Sequence, residues 1–362
     1  MTLPDTAPRS GRGRNVTVMV TGAGTPGAVG IIKAIRRTDA FDPHIIGVET
    51  IPDASGFPLV DTAETVSAGD DFIQDVIDVA RREDVDVVFP LRPTDLQSLS
   101  EAKPRFESEG IEVMVSDPET LSIAMDTGRL YDHLVQHGHQ IVPEFYRVST
   151  CDEFVDAVRA LGYPDRRVCF KRSDGNKVCF LDSEADGSNV LLDTQPNNTV
   201  STLDGVLPIF EEIEPFPDLI VTEYLPGDEY SVDVIAREDD VPVTVSRSHD
   251  EISAGHSYMG TIEEAPELIE SARQICALLG IEYNANFRFK YAADGTPKLV
   301  EVNPHLSESV TAYVGAGANI PSLSVQHALG WDLSEITVDW GTHVTHDWQE
   351  IVFRPGQKSA TI

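Results

Sequence analysis

Near the carboxyl end of the chain, the run Lys298 to Val302 meets Asn303-Pro304, and Val300 and Val302 alternate with Glu301 and Asn303. Such alternation predicts a strand whose successive side chains face opposite ways, so Glu301 and Asn303 project together from one face at its end. An acid and an amide there offer hard oxygen ligands of the kind that hold magnesium against phosphates. Asn286, in the run Asn284-Ala285-Asn286-Phe287, offers a third if its strand pairs with this one. The same residues also read simply as a strand closed by an Asn-Pro turn.

Earlier segments supply what such a site would need around it. Lys171 ends a strand-like run, and Arg247 lies in another, Val241 to Ser248. Between them, Glu223, Tyr224 and Leu225 precede a Pro-Gly turn, and Glu229 follows it. A nucleoside triphosphate needs a cation on its phosphates, a strand edge for the base, a carboxylate for the ribose and paired ligands for magnesium. These segments provide each in turn. A separate candidate is Gly22-Ala23-Gly24-Thr25-Pro26-Gly27, a G-x-G-x-x-G turn between strand and helix, with Glu49 ending the next strand. It predicts a dinucleotide site, although a tight turn needs glycine in any case and Pro26 lacks a backbone donor.

The elements that must position these residues follow from periodicity. From Asn15 to about Val115 strands alternate with amphipathic helices, which predicts a parallel, doubly wound sheet. Ser116 with Glu119, and Thr150 with Glu153, have the spacing of helix capping boxes. From Arg167 onward short strands and polar turns predominate, and Asp294-Gly295 marks a hairpin.

Lys171, the Thr222 to Val234 run, Arg247, Asn286 and the Glu301-Val302-Asn303-Pro304 run together resemble the ATP-grasp superfamily, of the carbamoyl-phosphate synthase large-subunit and carboxylate–amine ligase type. Residues 15–116 are similar to the Rossmann-like domain that precedes that module. The resemblance implies an α/β chain with a leader at 1–14, that Rossmann-like domain, and a helical connector at 117–143. A lid subdomain at 144–221 and a C-terminal subdomain at 222–337 would clasp the nucleotide, with a C-terminal tail at 338–362 whose last run, 353–362, reads as a frayed end. It implies ATP as substrate and magnesium, or manganese, at Glu301, Asn303 and Asn286. Lys171, Lys177 and Arg129 would meet phosphates, the backbone of Glu223, Tyr224 and Leu225 the adenine, and Glu229 the ribose. Arg247 and His305 would lie near the transferred phosphate. The activity implied is ligation of a small carboxylate to a small amine through an acyl phosphate, in a chain whose relatives often form homodimers.

Several positions depart from that pattern. Asp126-Thr127 stands where Asp-Lys is usual, the lid loop Arg172 to Val178 is poor in glycine, and His305 replaces an arginine. These departures keep open a nucleotide-binding protein with weakened chemistry, and the glycine turn keeps open an NAD-dependent enzyme.

Composition excludes other classes. The 362 residues carry 60 acidic against 27 basic side chains, a formal charge of -33. That field repels nucleic acid and anionic membrane, so neither is expected as a partner. Spread along the chain with few lysines, the charge resembles that of proteins from salt-loving organisms. Four cysteines without metal-like spacing, no long apolar span and no apolar signal region predict a cytoplasmic location.

Overall fold

A computed structural model of the chain describes residues 13–175, 177–185, 198–237, 240–253, 256–333, 336–347, 349–353 and 360–361. Most of the expected leader lies outside these residues. Four sheets are formed among the described residues, three large ones and a two-stranded pairing of Ile351–Val352 with Ala360–Thr361.

The first comprises β1 (Asn15–Thr21), β2 (Asp42–Glu49), β3 (Thr62–Thr65), β4 (Val87–Pro90) and β5 (Glu112–Val113). All pairings are parallel in the order β3-β2-β1-β4-β5, the doubly wound arrangement that strand–helix alternation predicts. Helices Ala28–Arg36, Phe72–Arg82 and Leu96–Glu107 make the crossovers. The edge strand β3, Thr-Ala-Glu-Thr, carries no hydrophobic signal, because an edge buries little of either face.

The second sheet contains β6 (Phe145–Val148), β7 (Val168–Arg172), β8 (Val178–Leu181), β9 (Asn198–Ser201) and β10 (Leu219–Glu223), ordered β6-β10-β7-β8-β9. Its outer face forms its own core with helices Cys151–Ala160 and Leu203–Phe210, centred on Phe154, Phe170 and Phe210. The three rings meet edge to face at 4.9–5.7 Å. Thr150 caps the first of these helices by accepting from Glu153 N, and Glu153 accepts from Ser149 N rather than from the cap itself.

The third sheet contains β11 (Glu229–Arg237), β12 (Asp240–Ser248), β13 (Glu251–Ser253), β14 (His256–Ile262), β15 (Tyr283–Tyr291), β16 (Pro297–Asn303) and β17 (Thr342–Thr345). The order is β13-β14-β12-β11-β15-β16, with β17 on β14. One face carries Val232, Val234, Phe287 and Phe289 against helix Pro266–Leu279. On the other, Ile235, Val243 and Val245 share one core with Val18 and Ile31 of the first unit and with Tyr313. The remainder of that face is polar.

One expectation needs correction. Ser116 does not cap a helix: Asp117 holds the N-cap position, and Ser116 Oγ instead bonds the backbone of Glu282 at 3.0–3.1 Å. That contact fastens the first unit to the third sheet, a tertiary use that local spacing cannot reveal. Within the expected tail at 338–362, β17 completes a sheet, and most of the run expected to fray, 353–362, lies outside the described residues. Among the described residues no helix is long and apolar enough to cross a membrane.

Candidate active site

Period-two alternation sends Ser231 and Asp233 of β11 to the polar face, and the pairing of β11, β12, β15 and β16 extends two rows across it. One row runs Arg247, Ser231, Arg288, Glu301; the other runs Asp233, Asn286, Asn303. The rows border a cavity of about 910 Å³ that reaches Gly27 and Gly30 of the first unit.

Arg288 holds the first row together. Its guanidinium bonds Glu301 Oε1 at 3.1 Å and also bonds Glu229. Lys171, buried on β7, approaches Glu301 Oε2 from the second sheet at 3.9 Å. Burial acts to raise the pKa of Glu301, but Arg288 and then Lys171 win and hold it down at about 2. Burial lowers the pKa of Lys171, with Glu301 opposing the shift. In the second row Asp233 accepts from Asn286 Nδ2 at 2.9 Å and from Tyr313 Oη at 2.8 Å, while its Oδ1 has no partner. Burial pushes this carboxyl up to about 6 against the pull of Tyr313 and Arg247.

Arg247 is only 1% exposed. Its Nη2 donates to Ser309 Oγ at 2.8 Å, whereas Nε and Nη1 have no partner. His305 lines the same cavity with Nδ1 on Leu306 O at 3.0 Å, and burial lowers its pKa, so it is a neutral ring. Glu229 comes to the site through Arg288.

Other residues expected at the site lie at its margin or outside it. The Glu223 carboxylate accepts from Glu144 N at 2.9 Å, a bond between the neighbouring ends of β10 and β6. The Tyr224 ring stands edge-on to Phe180 at 5.8 Å, and Leu225 is buried. Lys177 is exposed, and neighbouring Asp174 pairs with Arg172 rather than facing a phosphate. Arg129 is also exposed, and its guanidinium turns back to Ser122 on the preceding helix. Its backbone N–H is capped by Asp126, so helix geometry points the side chain away from the cavity. Of the polar loop after β12, His249 lines the cavity, whereas the side chains of His256 and Tyr258 lie outside the described residues.

The glycine turn has a different use from the one its motif suggests. Glu49 is buried and accepts from Gly24 N, Thr50 N and Arg92, so its carboxylate is engaged internally. A Cβ on Gly27 would lie 2.8 Å from Glu308 Cα, and one on Gly30 2.6 Å from Thr311 Cγ2. The glycines thus admit the segment after β16 to the helix start, where a pyrophosphate would otherwise sit.

Arg288 and Asp233 are the functional residues that sequence reasoning missed. Arg288 was within reach of it, because it follows Asn286 by two residues and therefore shares its face. The orphaned Oδ1 of Asp233 needed coordinates.

The oxygen donors fit magnesium. Asn303 Nδ2 donates to Glu301 Oε1 at 3.1 Å and Asn286 Nδ2 to Asp233, which leaves both amide oxygens for a cation. Among the described residues no group of three or more His, Cys, Asp or Glu could close a metal site alone. A cation here would be completed by ligand oxygens, as magnesium commonly is in phosphate sites.

Comparison with solved structures decides the architecture. The chain superposes on N5-carboxyaminoimidazole synthetase from Staphylococcus aureus complexed with ADP with a TM-score of 0.66 at 13% identity, covering 92% of this chain and 82% of that one. Against a biotin carboxylase–β-γ-ATP complex from Campylobacter jejuni the TM-score is 0.65 at 15% identity, covering 89% and 73%. The chain has the ATP-grasp fold. A family model described as ATP-grasp in the biosynthetic pathway with Ter operon matches residues 215–349, the ATP-grasp segment that carries β11 to β17. The chain is also similar to the carbamoyl phosphate synthase large chain of Methanobrevibacter smithii, 23% identical over 309 residues. That match covers 84% of this chain but 28% of the relative, so this ATP-grasp chain spans little more than a quarter of that protein's length.

Proposed function

We propose that the protein is an ATP-dependent ligase that activates a small carboxylic acid and joins it to an amine. The observation that carries this reading is the cross-strand row ending in Glu301. It sets a metal-type carboxylate and two guanidiniums along one cavity of an ATP-grasp fold, with Lys171 of the second sheet 3.9 Å from that carboxylate. A substrate carboxylate oxygen would attack the γ-phosphorus of ATP, with ADP leaving. The amine would then attack the acyl carbon, releasing phosphate and a proton.

Magnesium, held by Glu301, Asn303 and Asn286, would neutralise phosphate charge. Lys171 and Arg288 would add positive charge at the same end, and the lid sheet would exclude water from the acyl phosphate. Glu223, Tyr224 and Leu225 would border the adenine, and Glu229 would reach the ribose once Arg288 yields it. His305, neutral with its one N–H engaged by Leu306 O, would offer the cavity an accepting Nε2 where an arginine would supply donors and charge.

ADP release, measured across a panel of acids with and without amines, tests the proposal. Hydroxylamine would trap the acyl phosphate as a hydroxamate. Acid-dependent hydroxamate formation is the expected result. ATP binding with no acid-stimulated ADP release would sink the reading. It would favour instead a nucleotide-binding protein with weakened chemistry, for which the Arg288 bridge between Glu229 and Glu301 is the specific support.

A further inference from the structure

Arg247 poses a problem that the nucleotide alone does not solve. The buried guanidinium faces Asp233 and Tyr313, yet among the described residues its Nε and Nη1 have no hydrogen-bond partner, which leaves donors that a ligand oxyanion would satisfy. Its place in the row is also informative. Arg247 and Glu301 lie on strands separated by three inter-strand spacings, about 14 Å. Lys171 and Arg288 gather at the Glu301 end. Arg247 faces the opposite end, where Ser309 holds its Nη2 and the segment 307–311 packs on Gly27 and Gly30. Beside it, His249 Nε2 lies 2.7 Å from Ser231 Oγ, and its Nδ1 has no partner. Burial, then Arg247 and Arg288, push this imidazole down to about 2, so it offers a hydrogen bond rather than charge. Arg247, Ser309, His249, Ser231, Arg288 and Glu301 all line one cavity. Within a chain of charge -33, a buried, open-handed arginine is a specific feature rather than part of a general basic surface.

We propose that Arg247, with Ser309 and His249, forms a subsite for a second oxyanion on the acid substrate, distinct from the carboxylate that is activated. The substrate class is therefore a small acid carrying two anionic groups, the second being a carboxylate or a phosphonate- or phosphate-type group. One end sits on Arg247 and the other is directed along the row toward Arg288 and Glu301. This identification of the substrate rests on the ligase reading above, whereas the subsite itself does not.

Calorimetry without nucleotide tests it, comparing succinate, glutarate and 3-phosphonopropionate with butyrate, a monoacid of similar length. The wild-type protein should bind at least one diacid tenfold or more tightly than butyrate, and the preferred member separates carboxylate from phosphonate recognition. Arg247→Gln should abolish that preference while changing Mg-ATP affinity less than twofold, and Arg247→Lys should retain part of it. A stability readout guards against misfolding. Without ligand, Arg247→Lys, which keeps a cation facing the buried Asp233, should show the same cooperative melting transition as wild type, so its partial diacid preference reports recognition rather than misfolding. Equal binding of mono- and diacids by wild type would overturn the subsite. So would a tenfold loss of Mg-ATP affinity in Arg247→Gln with diacid binding intact, which would assign Arg247 to the nucleotide. An Arg247-dependent diacid preference in a protein that forms no hydroxamate would keep the subsite and remove the ligase reading.

Discussion

At the scale of single residues, the site is organised by Arg288 rather than by any of the acids it touches. Its guanidinium is 27% exposed and bridges Glu229 and Glu301. Truncation to Ala leaves Glu229 without this cation and Glu301 with Lys171 alone at 3.9 Å. A fully buried pair broken on one side costs about 3–5 kcal/mol. Partial exposure reduces the expected loss for Arg288→Ala to about 2–3 kcal/mol, read from urea denaturation. His249 gives a pH signature. Its folded pKa is depressed to about 2, below the unfolded value of about 6.5. Between these values only the unfolded chain takes the proton, so stability falls as pH drops below about 6.5 and is unaffected above it. Replacement by Gln should flatten this decline between pH 6.5 and 5 by up to about 1.4 kcal/mol per unit. Parallel pH profiles for the two proteins would contradict the assignment.

At the scale of elements, the second sheet and the glycine turn behave differently. The second sheet owns a core of its own around Phe154, Phe170 and Phe210, and its β7 places Lys171 3.9 Å from Glu301. The glycine turn is fixed by tertiary contact. Gly27 has φ 81°, and a Cβ there would meet the backbone of Glu308. Gly27→Ala combines left-handed strain with a clash against main chain, and should cost about 2–4 kcal/mol, visible as a lowered melting temperature. Loss under about 0.5 kcal/mol would mean the 307–311 segment does not pack there as described.

For the whole molecule, the decisive number is the net charge of -33. Repulsion among exposed acids is screened over about 10 Å at 0.1 M salt, so the melting temperature should rise most steeply between about 0.02 and 0.3 M KCl. A thermal scan against salt checks this, and a continued rise above about 1 M would add support for adaptation to high salt, since simple screening is then complete. The molecule also divides differently from its apparent boundaries. Residues of β1 and of helix Ala28–Arg36 share one core with β12 and Tyr313, so the first unit and the third sheet are joined through apolar packing.

The sequence by itself determined what is local and periodic. Alternation of strands and helices gave the parallel sheet, and the Asp294-Gly295 turn gave the β15–β16 hairpin. Spacing by two also put Glu301 and Asn303 on one face, because side-chain direction in a strand depends only on parity. Strand pairing between distant segments is not encoded in any short window. Only the tertiary structure could therefore set Arg247, Ser231, Arg288 and Glu301 in one row, or send Arg129 to Ser122 instead of the cavity. It alone showed Gly27 closed by Glu308 and Arg247 left with unmet donors, since burial and hydrogen-bond satisfaction are properties of the assembled chain.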